Sequence, residues 1–339
     1  MTNQMQTIGI VGAGAWGTAL ACTTARAGRT VIIQAHEPQV AAAINQDHEN
    51  TVFLPGISLA PEIRASTDLS DLVACDAVLL VAPAQFMRAI TTAMAPFWRS
   101  GVPAVICAKG IELNSGALMT EICGETLPQA PLAVLSGPTF AAEVANGLPT
   151  AVTLACPDAA QGRSLVDALG TPRFRIYRSD DLTGAEIGGA VKNVLAIACG
   201  IVEGRQLGDN ARAALITRGL SEITRLAVAK GGARETVSGL AGLGDLTLTC
   251  NAMQSRNFSL GVALGEGRSL HDILGERVSV AEGVHSAEAV SALARRLNIE
   301  MPICTTVDGI LNNSADIDAS IAALMARPVG AEDTRSAKT

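Results

Sequence analysis

Near its start the chain carries Thr7-Ile8-Gly9-Ile10-Val11-Gly12-Ala13-Gly14-Ala15-Trp16-Gly17-Thr18-Ala19-Leu20, a short apolar run that breaks into three glycines spaced G-x-G-x-x-G and then turns helical. Few folds accommodate that order. A strand must end, turn tightly and enter a helix at once, and each glycine meets a separate demand. Gly12 permits the turn, Gly14 lets a pyrophosphate approach the backbone, and Gly17 lets helix and strand pack closely. The helix behind them aims free N–H groups and a positive dipole end at an anion. The stretch therefore predicts the first βα unit of a dinucleotide-binding domain, with Ala19 to Ala27 continuing the helix and Gly28 ending it.

The rest of the composition narrows the class. At 339 residues the chain is long enough for two domains, each with its own core. It is 48% hydrophobic, yet its longest apolar stretch, Ile187 to Val202, is interrupted by Lys192 and Asn193, so no integral membrane segment is expected. Nor is a signal peptide, because Gly12 to Gly17 break the first apolar run. The eight cysteines lie far apart with no C-x-x-C, which reads as reduced core residues of a cytoplasmic protein. With four histidines, none near a cysteine pair, no metal site is expected. A net charge of −7 without a basic run argues against nucleic acid as a partner.

Strand and helix alternate through the first half. Thr30 to Ile33 reads as the second strand, leading into His36, Glu37 and a helix begun by Pro38. His36 and Glu37 stand where an adenosine ribose is read: the glutamate suits a 2′-hydroxyl, a protonated histidine a 2′-phosphate, and a solvated loop fits either residue equally well. Ile63 to Ser66 is a weak strand before an Asp68-capped turn, Ala77 to Val81 a buried one, and a helix is expected from Ala84 to Trp98. Pro103 to Cys107 delivers Lys109-Gly110-Ile111-Glu112 at the same sheet edge, and Leu132 to Leu135 delivers Ser136-Gly137-Pro138-Thr139-Phe140-Ala141. Strands at Thr150 to Leu154 and Phe174 to Tyr177 complete a mostly parallel sheet. From Thr183 helical periodicity replaces alternation. The expected division is a dinucleotide-binding domain over 1–182, an all-helical domain over 183–326 and a loose tail over 327–339, which is poor in apolar residues. Asp209 is expected to cap the second long helix, and no internal repeat is found.

Four features could carry chemistry. Lys192 sits mid-helix in an apolar stretch, where lysine is costly without a task. Gly188, Gly189, Ala196 and Cys199 on its face suggest room for something to lie against it. A general acid of depressed pKa and a lysine snorkelling to water are the two readings. Lys109 follows a strand directly and could orient a carbonyl, or be a surface lysine of a βα loop. Asp245, after Gly239, Gly242 and Gly244, could pair with either lysine or act as a plain helix cap. Ser255-Arg256-Asn257 opens a helix, so backbone N–H groups, a guanidinium and an amide could converge on a phosphate; a simple N-cap fits the tripeptide as well.

In this order, the glycine turn with Ala15-Trp16, the Lys109 turn, Ser136 to Ala141, Val191-Lys192-Asn193-Val194, Gly242-Leu243-Gly244-Asp245, Ser255-Arg256-Asn257 and Glu282-Gly283 resemble bacterial NAD(P)-dependent glycerol-3-phosphate dehydrogenases. The resemblance spans roughly residues 7 to 312, and the joint set is far more specific than any member. It implies a Rossmann domain followed by an all-helical domain, α/β plus all-α, generally as a homodimer. The implied activity is reversible reduction of dihydroxyacetone phosphate to sn-glycerol 3-phosphate for phospholipid synthesis. Lys192 would be the acid/base, with Lys109 and Asp245 completing its network. Lys109, Gly137, Thr139, Asp245, Ser255, Arg256 and Asn257 would hold the substrate, the last two its phosphate. Gly12, Gly14, Ala15, Trp16, Gly17, His36, Lys109, Ala141, Arg256, Val280 and Glu282 would line the cofactor. Many relatives carry arginine at the place of His36, so the cofactor stands between NADPH and NADH. Two rivals remain: a β-hydroxyacid dehydrogenase gripping a carboxylate with Arg256 and Asn257, and a nucleotide-binding redox sensor without turnover.

Overall fold

The computed structural model describes residues 5–276 and 282–328. Val280 and the end of the expected tail, residues 329–339, lie outside them. The first half runs β1 (Thr7–Val11), α1 (Ala15–Arg26), β2 (Thr30–Gln34), α2 (Pro38–Gln46), β3 (Glu49–Asn50), β4 (Leu54–Ser58), β5 (Ile63–Ser66), β6 (Ala77–Leu80), α3 (Met87–Met94), β7 (Ala104–Ile106), α4 (Met119–Thr126), β8 (Leu132–Ser136), α5 (Ala141–Ala145), β9 (Thr150–Ala155), α6 (Ala159–Leu169) and β10 (Phe174–Ser179). The apolar runs of β6 and β7 are buried throughout, because helices cover a parallel sheet on both faces. The sheet order is β10-β9-β8-β7-β6-β1-β2-β5, parallel at every step except β8 with β9. Chain order therefore reverses between β1 and β6, the switch point of a doubly wound sheet, and the strand ends there open a crevice for a ligand.

Two local expectations change. The helix foreseen over Ala84 to Trp98 is only α3, with 3₁₀ turns Ala84–Phe86 and Ala95–Phe97 on either side. Pro96 lacks the N–H that a continuing α-helix needs, and the chain tightens there into a 3₁₀ turn before it ends. The hairpin of β3 and β4, which the sequence analysis does not foresee, carries Asn50 against the glycine turn. The Asn50 amide, wholly buried, donates to the Ala13 carbonyl and to Thr18 Oγ1, each at 2.8 Å.

The second half is helical: α7 (Leu182–Gly204), α8 (Asp209–Ala229), α9 (Arg234–Val237), a π-helical turn (Leu240–Gly244), α10 (Asp245–Thr249), α11 (Arg256–Gly265), α12 (Leu270–Gly275), α13 (Glu282–Arg296), α14 (Pro302–Asn312) and α15 (Ile317–Met325). Asp181 caps the start of α7, its carboxylate accepting from Gly184 N at 2.8 Å, whereas Asp209, expected to cap α8, makes no capping bond. Gly208, at φ +87°, begins α8, and Asp209 in its first turn pairs with Arg212. Every residue of α7 from Gly184 to Ile201 is buried, so an apolar helix of 23 residues, long enough to cross a membrane, forms the core of this half instead. Helix α11 packs on it backbone to backbone. A Cβ on Gly200 would lie 2.8 Å from Gly261 Cα, and one on Gly204 2.9 Å from Gly265 Cα. Two G-x-x-x-G pairs, one per helix, allow that approach and hold the start of α11 beside the middle of α7.

The two halves share packing. Ile111 and Leu118, from the segment between β7 and α4, belong to the core built on α7. Ala185 of α7 and Ala241 of the π turn belong to a core under the sheet.

Candidate active site

At the switch point the glycine turn is closed against the strand beside it. Gly12 has φ +104°, and a Cβ there would meet Ala82 N at 3.1 Å. A Cβ on Gly17 would fall 1.9 Å from the Gly12 carbonyl oxygen, so only glycine lets α1 start this close to β1. Gly14 differs: nothing lies within 4 Å of its Cβ position, and that open side is where a pyrophosphate can approach. The first turn of α1 has no side-chain cap and no acidic residue, so neither fills the anion position or repels an anion. The indole nitrogen of Trp16 is buried in the same turn without a partner. His36, exposed, follows β2 at the crevice rim; Glu37, partly buried, is the N-cap of α2, and its carboxylate makes no capping bond. These residues fit a dinucleotide.

At the carboxyl edge of the same sheet lies a buried polar cluster. Lys192 Nζ donates to Asp245 Oδ1 at 2.5 Å and to Thr249 Oγ1 at 2.9 Å. Lys109 Nζ donates to Asp245 Oδ2 at 2.5 Å and to the Gly137 carbonyl at 3.3 Å. Asp245 is fully buried and Lys192 is 6% exposed, so two ammonium groups share one carboxylate away from bulk water. Burial pushes the Lys192 ammonium down to about 8; Asp245 pulls it up and the Lys109 charge pushes it further down. Each member is set by a different element. The π turn, widened by one residue per turn, ends in Gly244 and hands Asp245 to α10, where the Thr249 hydroxyl donates to the Asp245 carbonyl at 2.6 Å. Lys109 is held by a braced turn: Gln85 Nε2 donates to the Ile111 carbonyl at 2.9 Å, and Gln85 Oε1 accepts from Leu113 N at 3.1 Å. Glu112 points elsewhere, into an ion pair with Arg88 at 2.9 Å.

Beside Lys192 the start of α11 completes the arrangement. Ser255 is the N-cap, its hydroxyl accepting from Phe258 N at 3.2 Å. Asn257 is buried, and its Oδ1 accepts from Gly283 N at 3.1 Å, which turns its amide donors away from α13. Arg256 is exposed at the helix start. Its charge, with those of Lys109 and Lys192, acts on the Glu282 carboxyl, which burial pushes up. Lys109, Lys192 and Arg256 are therefore all within electrostatic reach of Glu282, and Asn193, buried next to Lys192, presents its carbonyl to Gly283. Thr139 Oγ1 lies 3.4 Å from the Gly137 carbonyl, and Ala141 opens α5 on the same rim.

The small residues flanking Lys192 do not leave room for a ligand. A Cβ on Gly188 would lie 2.5 Å from the Ala241 carbonyl, and one on Gly189 within 3.4 Å of the Lys109 stem and Ser136 Oγ. The protein's own π turn and second lysine occupy that face. Two contributors escaped the sequence reading. Thr249 is an ordinary helical threonine until the fold sets it on Lys192. Asn50 braces the glycine turn from a hairpin without a motif. Among the described residues no cluster of three or more histidines, cysteines and acidic residues could hold a metal.

Comparison with known proteins supplies the chemistry's context. The sequence matches the family model described as NAD-dependent glycerol-3-phosphate dehydrogenase N-terminus over residues 7–161, and its C-terminus counterpart over residues 181–322. It is 61% identical over 326 residues to a glycerol-3-phosphate dehydrogenase (NAD(P)+) of Rhodospirillum rubrum, covering 96% of this chain and 93% of that one. It is 59% identical over 325 residues to the protein of that name from Caulobacter vibrioides, covering 96% and 98%. A solved glycerol-3-phosphate dehydrogenase from Coxiella burnetii superposes with a TM-score of 0.92 at 40% identity, over 95% of this chain and 99% of that one. The enzyme from Saccharomyces cerevisiae superposes at 0.81 and 27%, over 94% and 99%.

Proposed function

Because the chain belongs to the NAD-dependent glycerol-3-phosphate dehydrogenase family, whose members are NAD(P)-dependent oxidoreductases, we propose that Lys192 is the acid/base of that reaction in this protein and that Arg256 and Asn257 hold the substrate phosphate. The observation that carries this reading is the lysine–aspartate–lysine cluster, buried at the carboxyl edge of the sheet that carries the glycine turn. NADH or NADPH, when bound, supplies the hydride. Everything else falls to the chain. Reduction of a ketone builds negative charge on its oxygen, and the Lys192 ammonium neutralises that charge by giving up a proton. Once neutral, Lys192 leaves Lys109 and Asp245 as a balanced pair, so the deprotonated state costs no unpaired buried charge. In the oxidative direction the neutral amine takes the proton from the alcohol. The α11 N-terminus with Arg256 and Asn257 anchors the phosphate and orients a small substrate, so binding energy remote from the reacting carbon fixes its approach.

The same reading extends to glycerol 3-phosphate supply for phospholipid synthesis, a homodimer, and the cytoplasm; eight unpaired buried cysteines support a reducing compartment. Lys192→Ala tests the core of it. Turnover of dihydroxyacetone phosphate should fall about a hundredfold or more while NADH binding, read by fluorescence, stays near the parent value. A variant that reduces the ketone at the parent rate would remove the acid/base assignment.

A further inference from the structure

Glu186 is an ionisable residue of α7 outside the cluster, 5% exposed. Its carboxylate accepts from Thr120 N at 2.9 Å and from Thr120 Oγ1 at 2.5 Å. Thr120 lies in the first turn of α4, so a buried anion on the lysine-bearing helix of one half is seated on the N-terminus of a helix of the other. A helix N-terminus offers unsatisfied N–H groups and a positive dipole end, which makes this a directional joint and not a generic contact. From Glu186 to Lys192 is about 9 Å along the axis at 1.5 Å per residue. Helix α7 is therefore tied here, by a directional bond, to the sheet-bearing half, and about one and two-thirds turns further on it presents Lys192 to Asp245.

We propose that Glu186 is a positioning residue for Lys192: by seating α7 on the N-terminus of α4 it sets where the lysine nitrogen stands relative to the cofactor-bearing crevice. The inference rests on the proposed role of Lys192. A carboxylate is suited to this task because it only accepts, and both Thr120 groups only need an acceptor. Protonated, or replaced by an amide, it keeps one acceptor and turns a donor towards the other Thr120 group, so the charge-assisted pair of bonds is lost and the joint loosens. Burial pushes the Glu186 carboxyl up to about 7, the Thr120 hydrogen bonds pull the other way, and the Glu121 charge adds to the rise. The other groups acting at this joint are Cys123 of α4, which feels Glu186, and Lys230, which pairs with Glu121 at 2.5 Å, with the Arg296 charge also reaching Glu121. The joint is then half formed near pH 7, tightens above it and slackens below it, whereas Lys192 donates a proton best below about 8.

The experiment compares the full-length parent with Glu186→Gln, Thr120→Val and Thr120→Ser. Reduction of dihydroxyacetone phosphate is followed at saturating NADH from about pH 5.5 to 9.5, alongside NADH binding and thermal midpoint. The parent should show a bell, rising through about 7 and falling through about 8. Glu186→Gln should lose about tenfold in kcat together with the acid limb, keeping the alkaline limb, its KM for NADH and its thermal midpoint. Thr120→Val should move the same way by less, and Thr120→Ser should match the parent. An acid limb intact in Glu186→Gln overturns the proposal. So does a fall in kcat accompanied by weaker NADH binding and a lower midpoint in both Glu186→Gln and Thr120→Val, which marks a purely structural cap. If Glu186→Gln does not fold, the Thr120→Val and Thr120→Ser pair decides alone. Parent-like turnover by Lys192→Ala sinks the acid/base reading itself; an inactive Lys192→Ala beside an unaltered Glu186→Gln sinks only the positioning role.

Discussion

Lys192 illustrates how one side chain acquires a role that its residue type does not dictate. Free in water a lysine holds its proton to above pH 10; buried among α7, α10 and the Lys109 turn it releases it near 8. The sign of the consequence follows from which state acts. Reduction needs the protonated amine, so kcat for dihydroxyacetone phosphate should fall as pH rises through about 8. Oxidation needs the neutral amine, so kcat for sn-glycerol 3-phosphate should rise through the same value. Opposite alkaline limbs in the two directions are the measurement; limbs of the same sign would exclude Lys192 as the titrating group. Arg256 calls for a different signature. Losing one charged hydrogen-bonding anchor should raise KM for the ketone about tenfold to a hundredfold in Arg256→Ala, with a smaller change in the thermal midpoint because the side chain is exposed. At this scale the sequence was informative where chemistry was rare, as with a lysine inside an apolar helix, and silent where it was common. Thr249 has no local signal, since its contact with Lys192 spans two helices distant in the chain.

At the scale of elements, glycines decide which surfaces can meet. The G-x-G-x-x-G turn was legible because three glycines serve one local geometry, and the first βα unit folds as its spacing demands. The paired G-x-x-x-G steps of α7 and α11 were not, because neither helix announces its partner. Their contact nonetheless places Ser255, Arg256 and Asn257 beside the lysine helix. Gly261→Val should therefore destabilise by more than about 3 kcal/mol in denaturant unfolding, since even a Cβ would lie 2.1 Å from the Ile197 carbonyl. A parent-like midpoint would mean the helices can slide apart freely. The expected helix over Ala84 to Trp98 is α-helical only over Met87–Met94, tightening to 3₁₀ turns at both ends, the second at Pro96. The hairpin of β3 and β4 was missed because its strands are short and one holds a proline.

The whole molecule places a glycine turn that fits a dinucleotide and the proposed acid/base on different halves and then welds the halves together. The segment between β7 and α4 does much of that welding, with Ile111 and Leu118 sunk in the helical core while Lys109 at its head faces the crevice. Ile111→Ala should cost about 2–5 kcal/mol of stability and also lower kcat, because the same segment positions Lys109. Loss of stability with kcat intact would show that the lysine turn is held by its Gln85 bracing alone. The interlock also accounts for the reach of Glu186, whose bond to Thr120 joins the same two bodies.

What the amino-acid sequence determined by itself was the local and the repetitive: a glycine turn whose backbone admits few conformations, strands buried on both faces, the change to helical period near Thr183, and a charged residue where burial makes charge costly. What only the tertiary structure decided was partnership. Asp245 between two lysines, Thr249 on Lys192, Asn50 under the glycine turn and Glu186 on α4 are contacts between residues far apart in the chain. The physical reason is that hydrogen bonds and ion pairs are short-ranged and directional, so their partners exist only after packing has brought the elements together.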